Sequence, residues 1–600
     1  MDPLTVQSSA VSFLRRWREL SAGPTALRRI TVAITATFTV ETLLPTLGCF
    51  LAQQGLLATF VVAPFGQVYP SLLDPMSELR TARADVTLLL GRVEDLCSRA
   101  LAELALLDPD AVSHARQEAH QEIARLGDAI LAFERATPGA LLVGTLPPPM
   151  APPLGVLDAS HPASQGQLVR ELNLQLWSAL QQSRQARLVD VAGAVSLVGA
   201  ERAWDPRMAL LAGCPFSATG LRYLGQCIAR SIAALFVAPA KVVVVDLDNT
   251  LWGGVVGEEG PAGLALGPTG LGAAFVAFQE ALLALRAQGV LLAVASKNNE
   301  ADAFEVLDQH PGMRLRRSDL AAYRIGWQAK SQSLRELAQE LALGLESFVL
   351  IDDSPSECAE VRSVLPEVTV LELPSDPARY VEALRSLTAL DRMALTKEDR
   401  SRATMVQADK ARSALLAAAP SDDAEGLRKH LRSLELSVVV RRLRADDVER
   451  AAQLTQKTNQ FNLTTVRRAS AEVESLRRDP SWRLYALEAH DRFGDYGTTG
   501  LAFARQAGPD EWDLDTLLLS CRVLGRGVET ALLGALVSDL GLAGARRLTG
   551  RFIPTAKNAP ARDFFARHGF EAHPGERWVR EPLLGPLLDA AHITVRLETT

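Results

Sequence analysis

Along residues 242–245 four valines follow one another with no polar residue between them. A strand with one wet face alternates apolar and polar side chains, so an unbroken run marks a strand covered on both faces, as in a parallel sheet. Similar short runs recur at 30–34 (ITVAI), 57–63 (LLATFVV), 85–90 (DVTLLL), 140–144 (ALLVG) and 186–193 (ARLVDVAG). Stretches with helical periodicity separate them, notably over 91–135, and another follows at 217–236. Strands alternating with helices predict an α/β sheet for this first part of the chain.

The valine run opens a second series. It continues with a helix over 271–288, a strand over 290–296, helices over 301–309 and 331–342, and a strand over 347–353. That order predicts a doubly wound parallel sheet. Residues 375–433 are charged and helix-prone and read as a connector. A third series begins at 434–443 and mixes strands (482–491, 498–506) with helices near 443–456, 527–541 and 558–567, an α+β pattern. The chain has no internal repeat.

At roughly 100–200 residues per domain, a chain of 600 residues is expected to form several domains. The pattern divides it into an N-terminal flank (1–29), an α/β domain (30–238), a doubly wound domain (239–375), a helical connector (376–433) and an α+β domain (434–600). With 48% hydrophobic and 22% charged residues, each can bury a core. A net charge of −7 gives no global case for nucleic acid or an anionic membrane. No uncharged run approaches the ~20 residues that span a bilayer, and residues 1–20 lack the apolar stretch of a signal peptide. Six scattered cysteines without a C-x-x-C pair imply neither a metal framework nor a disulfide scaffold, and suit a reducing cytoplasm.

Chemistry enters where the predicted strands end. In an open parallel sheet ligands bind beyond the carboxyl ends of the strands. Asp246 and Asp248 follow the valines, Ser296 ends LLAVAS, Asp352 and Asp353 end SFVLIDD, and Lys330 stands where the loop RIGWQAK enters a helix. An Asp-x-Asp at a strand end also serves as a helix cap or a solvated turn, but here all four elements occur in order. They resemble the signature of the haloacid dehalogenase (HAD) phosphatase superfamily: D-x-D-x-[TV], Ser/Thr, Lys, then an acidic pair. A carboxylate can attack phosphorus, a second acid can move the proton of the leaving group, and Mg²⁺ prefers hard oxygen ligands. The resemblance implies Asp246 as nucleophile and metal ligand. It implies Asp248 as general acid/base and as a ligand through its carbonyl, and Asp352 as a further Mg²⁺ ligand. Thr250, Ser296 and Lys330 would bind phosphate.

The flanking residues carry a closer resemblance. DLDNTLWGGVVGEEG, LLAVASKNNE, IGWQAKSQSL, FVLIDDSPSECAEVR, KTNQFNLTT (457–465), DRFGDYGTTG (491–500), LLLSCRVLGRGVE (517–529) and IPTAKNAPARDFFARHGF (553–570) look like the FkbH-like subfamily. That resemblance implies an enzyme of polyketide biosynthesis. It would take 1,3-bisphosphoglycerate, remove phosphate, and load a glyceryl unit onto the phosphopantetheine arm of an acyl carrier protein. The product would feed tetronate or hydroxy- or methoxymalonyl units. R-x-x-G-x-G at 522–527 and NAPARDFFARHGF resemble GNAT acyltransferase motifs, which implies carrier or pantetheine binding by Arg522, Gly525, Gly527 and Asn558. A thiolate suits thioester chemistry, and Cys521 beside Arg522 and a predicted helix start is the chosen acyl carrier. The subfamily pattern also implies a Cys directly before the motif serine, where this chain has Ala295. Lys457, Asn459 and Asn462 are expected near the transfer site.

ITATFTVETL and VVAPFGQVYPSLLDP resemble an SGNH-hydrolase-like domain. Thr37 stands where that family's Ser would, and AWDPRM offers Asp205 without a His, so a docking scaffold is expected. The whole chain is therefore read as multidomain α/β: SGNH-like, HAD-like and GNAT-like in sequence. Two other readings stay open. One is a plain Mg²⁺-dependent phosphatase of a small phosphoester with a structural third domain, and the other is a carrier-binding scaffold.

Overall fold

The computed structural model describes residues 4–23, 26–183, 185–396, 399, 402, 432, 434–583 and 592–598, with the Cys521 side chain left out. Beyond residue 396 the expected connector lies outside the described residues, save Asp399, Arg402 and Arg432. By its contacts the chain forms two compact units, Met1–Val237 with Ala469–Ser475, and Ala238–Arg468 with Leu476–Thr600.

The first unit holds five parallel strands: β1 (Arg28–Ala36), β2 (Leu56–Val62), β3 (Val86–Leu90), β4 (Ala140–Gly144) and β5 (Ala186–Val189), in the order β2-β1-β3-β4-β5. The apolar runs lie on these strands with one shortfall. Residues 186–193 are only half strand, because Asp190 accepts the Gly193 amide at 2.9 Å and starts the helix Val191–Val198. The expected helix over 91–135 is also broken, into Val93–Leu96, Ser98–Leu104 and Pro109–Ala136. Asp108 caps the Ala111 amide at 3.0 Å and Pro109 takes the first helical position, so the chain restarts there.

The second unit contains a parallel sheet and a mixed sheet. The parallel one comprises β6 (Val242–Val245), β7 (Leu291–Ser296), β8 (Leu320–Ile325), β9 (Phe348–Asp352) and β10 (Thr369–Glu372), in the order β10-β9-β6-β7-β8. The four valines form its central strand and all are fully buried. Val243 and Val245 pack with Phe278 and Leu282, and Val242 and Val244 pack with Leu334 and Leu337 on the other face. Each valine withdrawn from water contributes about 1.5–3 kcal/mol, which is why neither face tolerates a polar residue. Phe278 and Leu282 lie on the helix Gly270–Ala287. By length and composition it is, among the described residues, the one helix apolar enough to cross a membrane, yet its Phe275, Phe278 and Leu282 line this core. Tyr380, Leu384 and Leu390 join the same core, so the domain runs to residue 390, past the expected boundary at 375. Between Asp246 and Ser296 the chain forms only a four-residue helix, Val256–Glu259, a 3₁₀ turn and that core helix. Over that stretch the described residues supply no cap domain.

The helix ends at Gly289, whose φ of +85° favours glycine. Its carbonyl accepts Arg402 at 2.6 Å, and Asp399 pairs with Arg402 and accepts Gln453 at 2.9 Å.

The mixed sheet comprises β11 (Ser437–Arg442), β12 (Phe461–Asn462), β13 (Trp482–Asp491), β14 (Gly494–Gln506), β15 (Glu511–Leu519), β16 (Arg547–Arg551), β17 (Glu571–His573), β18 (Arg577–Arg580) and β19 (Thr594–Glu598). Its order is β17-β18-β16-β15-β14-β13-β11-β19, with β12 on β15. β15 runs parallel to β16 only over Glu511–Leu514, and its far end pairs with β12 at Leu518 and Leu519. The two parallel strands thus part, and the helix Val528–Leu542 follows β15. The unit is thus α/β, with one parallel and one mixed sheet. The expected helix over 558–567 is only a 3₁₀ turn, Ala559–Ala561, and a short helix, Phe564–Arg567.

Candidate active site

The site starts one residue past the central strand. The Asp246 amide donates to the Ile351 carbonyl at 3.0 Å, extending the ladder and fixing Asp246 at the carboxyl edge. The chain then turns sharply, with the Thr250 and Leu251 amides both on the Leu247 carbonyl at 3.1 and 2.8 Å. Asn249 takes a left-handed φ of 53°, a conformation asparagine tolerates. Its side chain accepts the Gly254 amide at 3.0 Å and its carbonyl accepts the Tyr380 hydroxyl at 2.8 Å. The returning chain pairs Gly253 with Ala265, and a Cβ on Gly253 would lie 2.8 Å from the Phe275 ring and 3.0 Å from Ala265. This crowding explains the first glycine of Trp-Gly-Gly.

Four strand ends bring the expected reacting groups together. Lys330, first residue of the helix Lys330–Glu340, places its ammonium 2.5 Å from Asp246 Oδ1 and 2.5 Å from Asp352 Oδ2. The Ser296 hydroxyl lies beside the same Asp246 carboxylate and favours its charged form. Burial pushes the Asp246 carboxyl up to about 7, with Lys330 holding it down and Asp352 raising it further. Burial opposes the charge on Lys330, but the two carboxylates outweigh it and raise the pKa of the ammonium. The Ser354 amide donates to Asp352 Oδ1 at 2.9 Å, and the Thr250 hydroxyl donates to Asp353 Oδ1 at 3.3 Å.

One carboxylate oxygen each of Asp246, Asp352 and Asp353 lies within 4.8 Å of the others. Three hard oxygen donors at that spacing, two of them buried, fit a small divalent cation that keeps some of its waters. Asp353 joins Asp246 and Asp352 as the third carboxylate. The ligand expected of Asp248 is its carbonyl, and its carboxylate points elsewhere. Asp248 Oδ1 accepts the Trp252 indole at 2.8 Å and the Val256 amide at 3.2 Å, while Oδ2 accepts Asn298 at 2.8 Å. Trp252 is fully buried and Asn298 nearly so. Both were in view beside the motifs, in TLWGG and SKNNE, but only the fold shows that they share one acid.

The remaining predicted residues are placed as follows. Thr250 is fully buried, so its hydroxyl braces Asp353 instead of facing a phosphate. Ala295 points to the face opposite Ser296 and packs with Leu334 and Leu337, so a thiol there would sit inside the core. Gly525 and Gly527 have φ of 73° and 81°, and Gly527 caps the helix Val528–Leu542. A Cβ on Gly527 would lie 3.1 Å from the His592 ring, which bonds to the Arg526 carbonyl at 2.7 Å. Arg522 lies in the 3₁₀ turn Cys521–Val523, one residue past the end of β15 and its following Ser520. Cys521 opens that turn, and its side chain lies outside the described residues.

Asn558 is fully buried and braces its own loop. Its amide nitrogen donates to the Asn462 and Ile553 carbonyls, both at 2.9 Å, and its oxygen accepts the Thr555 amide at 2.7 Å. These bonds leave the side chain no direction toward a carrier arm. Asn462 likewise bonds to the Thr458 carbonyl and the Thr465 amide, and Asn459 to Arg467. Burial lowers the pKa of Lys457 well below its ordinary value. In the first unit, Thr37 donates to Asp95 at 2.8 Å and accepts the Arg92 amide at 3.1 Å. Asp205 caps the Arg207 and Met208 amides, both at 3.0 Å. Neither group is arranged as a nucleophile and its base.

Among solved structures, the chain resembles the N-terminal part of the protein BF1531 from Bacteroides fragilis, which contains a phosphatase domain and is complexed with Mg. The identity is 26% and the TM-score 0.57, over 64% of this chain and 99% of that one. A putative GNAT-family acetyltransferase from Desulfovibrio desulfuricans matches 24% of this chain and 98% of its own at 21% identity, with a TM-score of 0.21. The ribosomal-protein-S18-alanine N-acetyltransferase from Escherichia coli matches 25% and 96% at 16% identity, with a TM-score of 0.20. No protein-family model matches the chain, and no curated protein matches it in sequence.

Proposed function

We propose that the chain is a Mg²⁺-dependent phosphoryl-transfer enzyme of the HAD type. The observation that carries this reading is the ammonium of Lys330 lodged between Asp246 and Asp352, with Asp353 beside them, at the carboxyl edge of a parallel sheet. The Mg complex of the Bacteroides fragilis phosphatase domain supports the choice of metal. Asp246, Asp352 and Asp353 would hold the ion, which would supply positive charge against the phosphoryl oxygens.

An Asp246 oxygen attacks phosphorus, the new O–P bond forms, and the bond to the leaving oxygen breaks with its electron pair. Asp248 gives that oxygen a proton. Water then attacks the aspartyl-phosphate, Asp248 takes its proton, and phosphate leaves with Asp246 restored. Lys330 and Ser296 hold the phosphoryl oxygens in place. Phosphate release from acetyl phosphate tests this: it should need Mg²⁺, cease with EDTA, and be lost in Asp246→Asn. A scaffold with a relic site would lose nothing on that substitution.

The specific reading is a glyceryl transferase. The Cys521 thiolate attacks the acyl carbon of 1,3-bisphosphoglycerate, the C–S bond forms and the C–O bond to phosphate breaks; a carrier thiolate then attacks this thioester and releases Cys521 as its thiolate, and the phosphoryl site removes the remaining phosphate. Cys521 is the proposed relay for the acyl group, and the turn at Arg522, Gly525 and Gly527 the proposed cradle for the carrier's phosphate. The support is the set of motifs from Asp246 to Phe570. Such chemistry, and cysteines at 49, 97, 214, 227 and 358 that form no disulfide with one another, suit the cytoplasm. Incubation with Mg²⁺, 1,3-bisphosphoglycerate and acyl carrier proteins should add a glyceryl mass to the carrier. Phosphate release without any mass gain leaves the plain phosphatase.

A further inference from the structure

At the carboxyl edge of the parallel sheet, on its β10 side, lies a half-open pocket of about 540 Å³. Asn249 and Asp353 form its inner wall, Phe275, Leu373 and Tyr380 its floor, and Glu372 and Ser375 part of its rim. That wall borders the reaction site. Asn249 belongs to the Asp-x-Asp turn, and an Asp353 oxygen lies within 4.8 Å of those of Asp246 and Asp352. A molecule seated in the pocket therefore has its inner end beside Asp353, next to the carboxylates of Asp246 and Asp352.

The pocket is built in advance. The Tyr380 hydroxyl fixes the Asn249 carbonyl, Thr250 holds Asp353, and the Tyr380 ring packs edge-on against Phe275 and Phe278 with centroids 5.8 and 5.5 Å away. Its size is that of an ordinary ligand pocket and well beyond what a phosphate alone needs. Its charge is one-sided. The lining residues include two acids and no Lys, Arg or His, and Glu372 has its own partner in Arg362 at 2.9 Å. Buried apolar surface welcomes a neutral chain, while the lining offers a second anion no cationic side chain of its own.

We propose that this pocket holds an uncharged, largely apolar organic chain whose reactive end reaches Asp246, and that it rejects a second anionic group. The inference rests on the phosphoryl-transfer reading of the site. Two sources share this chemistry: the leaving group of a neutral-tailed phosphate ester, and the thiol-ended, amide-bearing arm of an acyl acceptor. The far phosphate of a bisphosphate has to point away from the pocket.

Calorimetric binding to the full chain in Mg²⁺ separates these cases. The probes are 1-naphthylmethylphosphonate, with a neutral tail, 3-phosphonopropanoate, with an anionic one, and pantetheine, with no phosphorus. The naphthyl probe should bind about tenfold tighter than the carboxylate probe, and Ser375→Trp, at an exposed rim position, should erase that preference. Glu372→Lys, also exposed, places a cation on the rim and should shift the preference toward the carboxylate probe. Pantetheine binding that weakens about tenfold in Ser375→Trp assigns the acceptor arm, and absence of pantetheine binding with the naphthyl preference intact assigns the leaving group. A naphthyl preference that survives both substitutions overturns the proposal, as does its absence together with absent pantetheine binding. If neither phosphonate binds while pantetheine does, the phosphoryl reading falls and the pocket stands.

Discussion

Lys330→Met removes one charge from the middle of the site and keeps most of the side-chain volume. In the metal-free protein the ammonium faces Asp246 and Asp352 at 2.5 Å each. Without it the two carboxylates confront one another with oxygens no more than 4.8 Å apart. At that separation and an effective dielectric near 20, two full charges repel by about 3.5 kcal/mol. That agrees with the roughly 3–5 kcal/mol seen when one partner of a buried pair is deleted. For a domain of this size about 3.5 kcal/mol lowers the melting temperature by roughly 7–14 °C. The measurement is a thermal melt at pH 8, in EDTA and in Mg²⁺. The variant should melt well below the wild type in EDTA and recover most of the loss in Mg²⁺, because the ion replaces the missing charge. Phosphate release should stay low in both buffers, since Lys330 also holds the phosphoryl oxygens. A variant that melts within about 2 °C of wild type in EDTA, or that gains no more from Mg²⁺ than wild type does, would refute the charge arrangement.

Trp252→Phe and Asn298→Ala each take one donor from Asp248, and a hydrogen bond to a charged group is worth about 1.5–3 kcal/mol. The kcat for phosphate release should fall by roughly tenfold to a hundredfold with KM little changed, and an unaltered kcat in Asn298→Ala would argue against the clamp. Asp246, raised by burial to about 7, favours its neutral form in the fold, so its contribution to stability is complete below the ordinary carboxylate range and is lost as pH rises through about 7. Denaturant midpoints in EDTA should accordingly fall between about pH 5 and pH 7.5 from this group, Asp246→Asn should remove that part of the slope, and Mg²⁺, which binds the anion, should oppose it. Gly289→Ala forces an L side chain into a φ of +85° and against the Asp399 carbonyl. It should cost more than the about 1–2 kcal/mol of the backbone strain alone, read by chemical denaturation.

The parallel sheet was legible because each of its strands repeats one physical statement. Val242–Val245 has no polar face since helices cover both sides, and the acids of the site follow at strand ends where the topology must deliver them. Asp246, Ser296, Lys330 and Asp352 could therefore be grouped from sequence. The support of Asp248 could not be. Trp252 reaches it through a turn set by the left-handed Asn249, and Asn298 reaches it from the neighbouring strand end, 50 residues along the chain. Register and turn geometry decide such contacts, and neither is written in local composition. Asn558 shows the opposite failure. A motif suggested a ligand contact, while the fold uses all of its polar atoms to close a loop. The break at Asp108–Pro109 was readable in the residues themselves, a cap followed by a proline, but continuous helical periodicity on either side concealed it.

The short path from Asp246 to Ser296 has a consequence for timing. A catalytic centre whose own domain supplies no cover cannot exclude solvent by closing on a substrate. Whatever occupies its mouth must act as the lid, completing the exclusion of water that the burial of Asp246, Lys330 and Asp352 begins. Small phosphorylated molecules would then turn over as a slow leak. A bulky visitor that seals the edge would set the pace of the reaction by how long it stays.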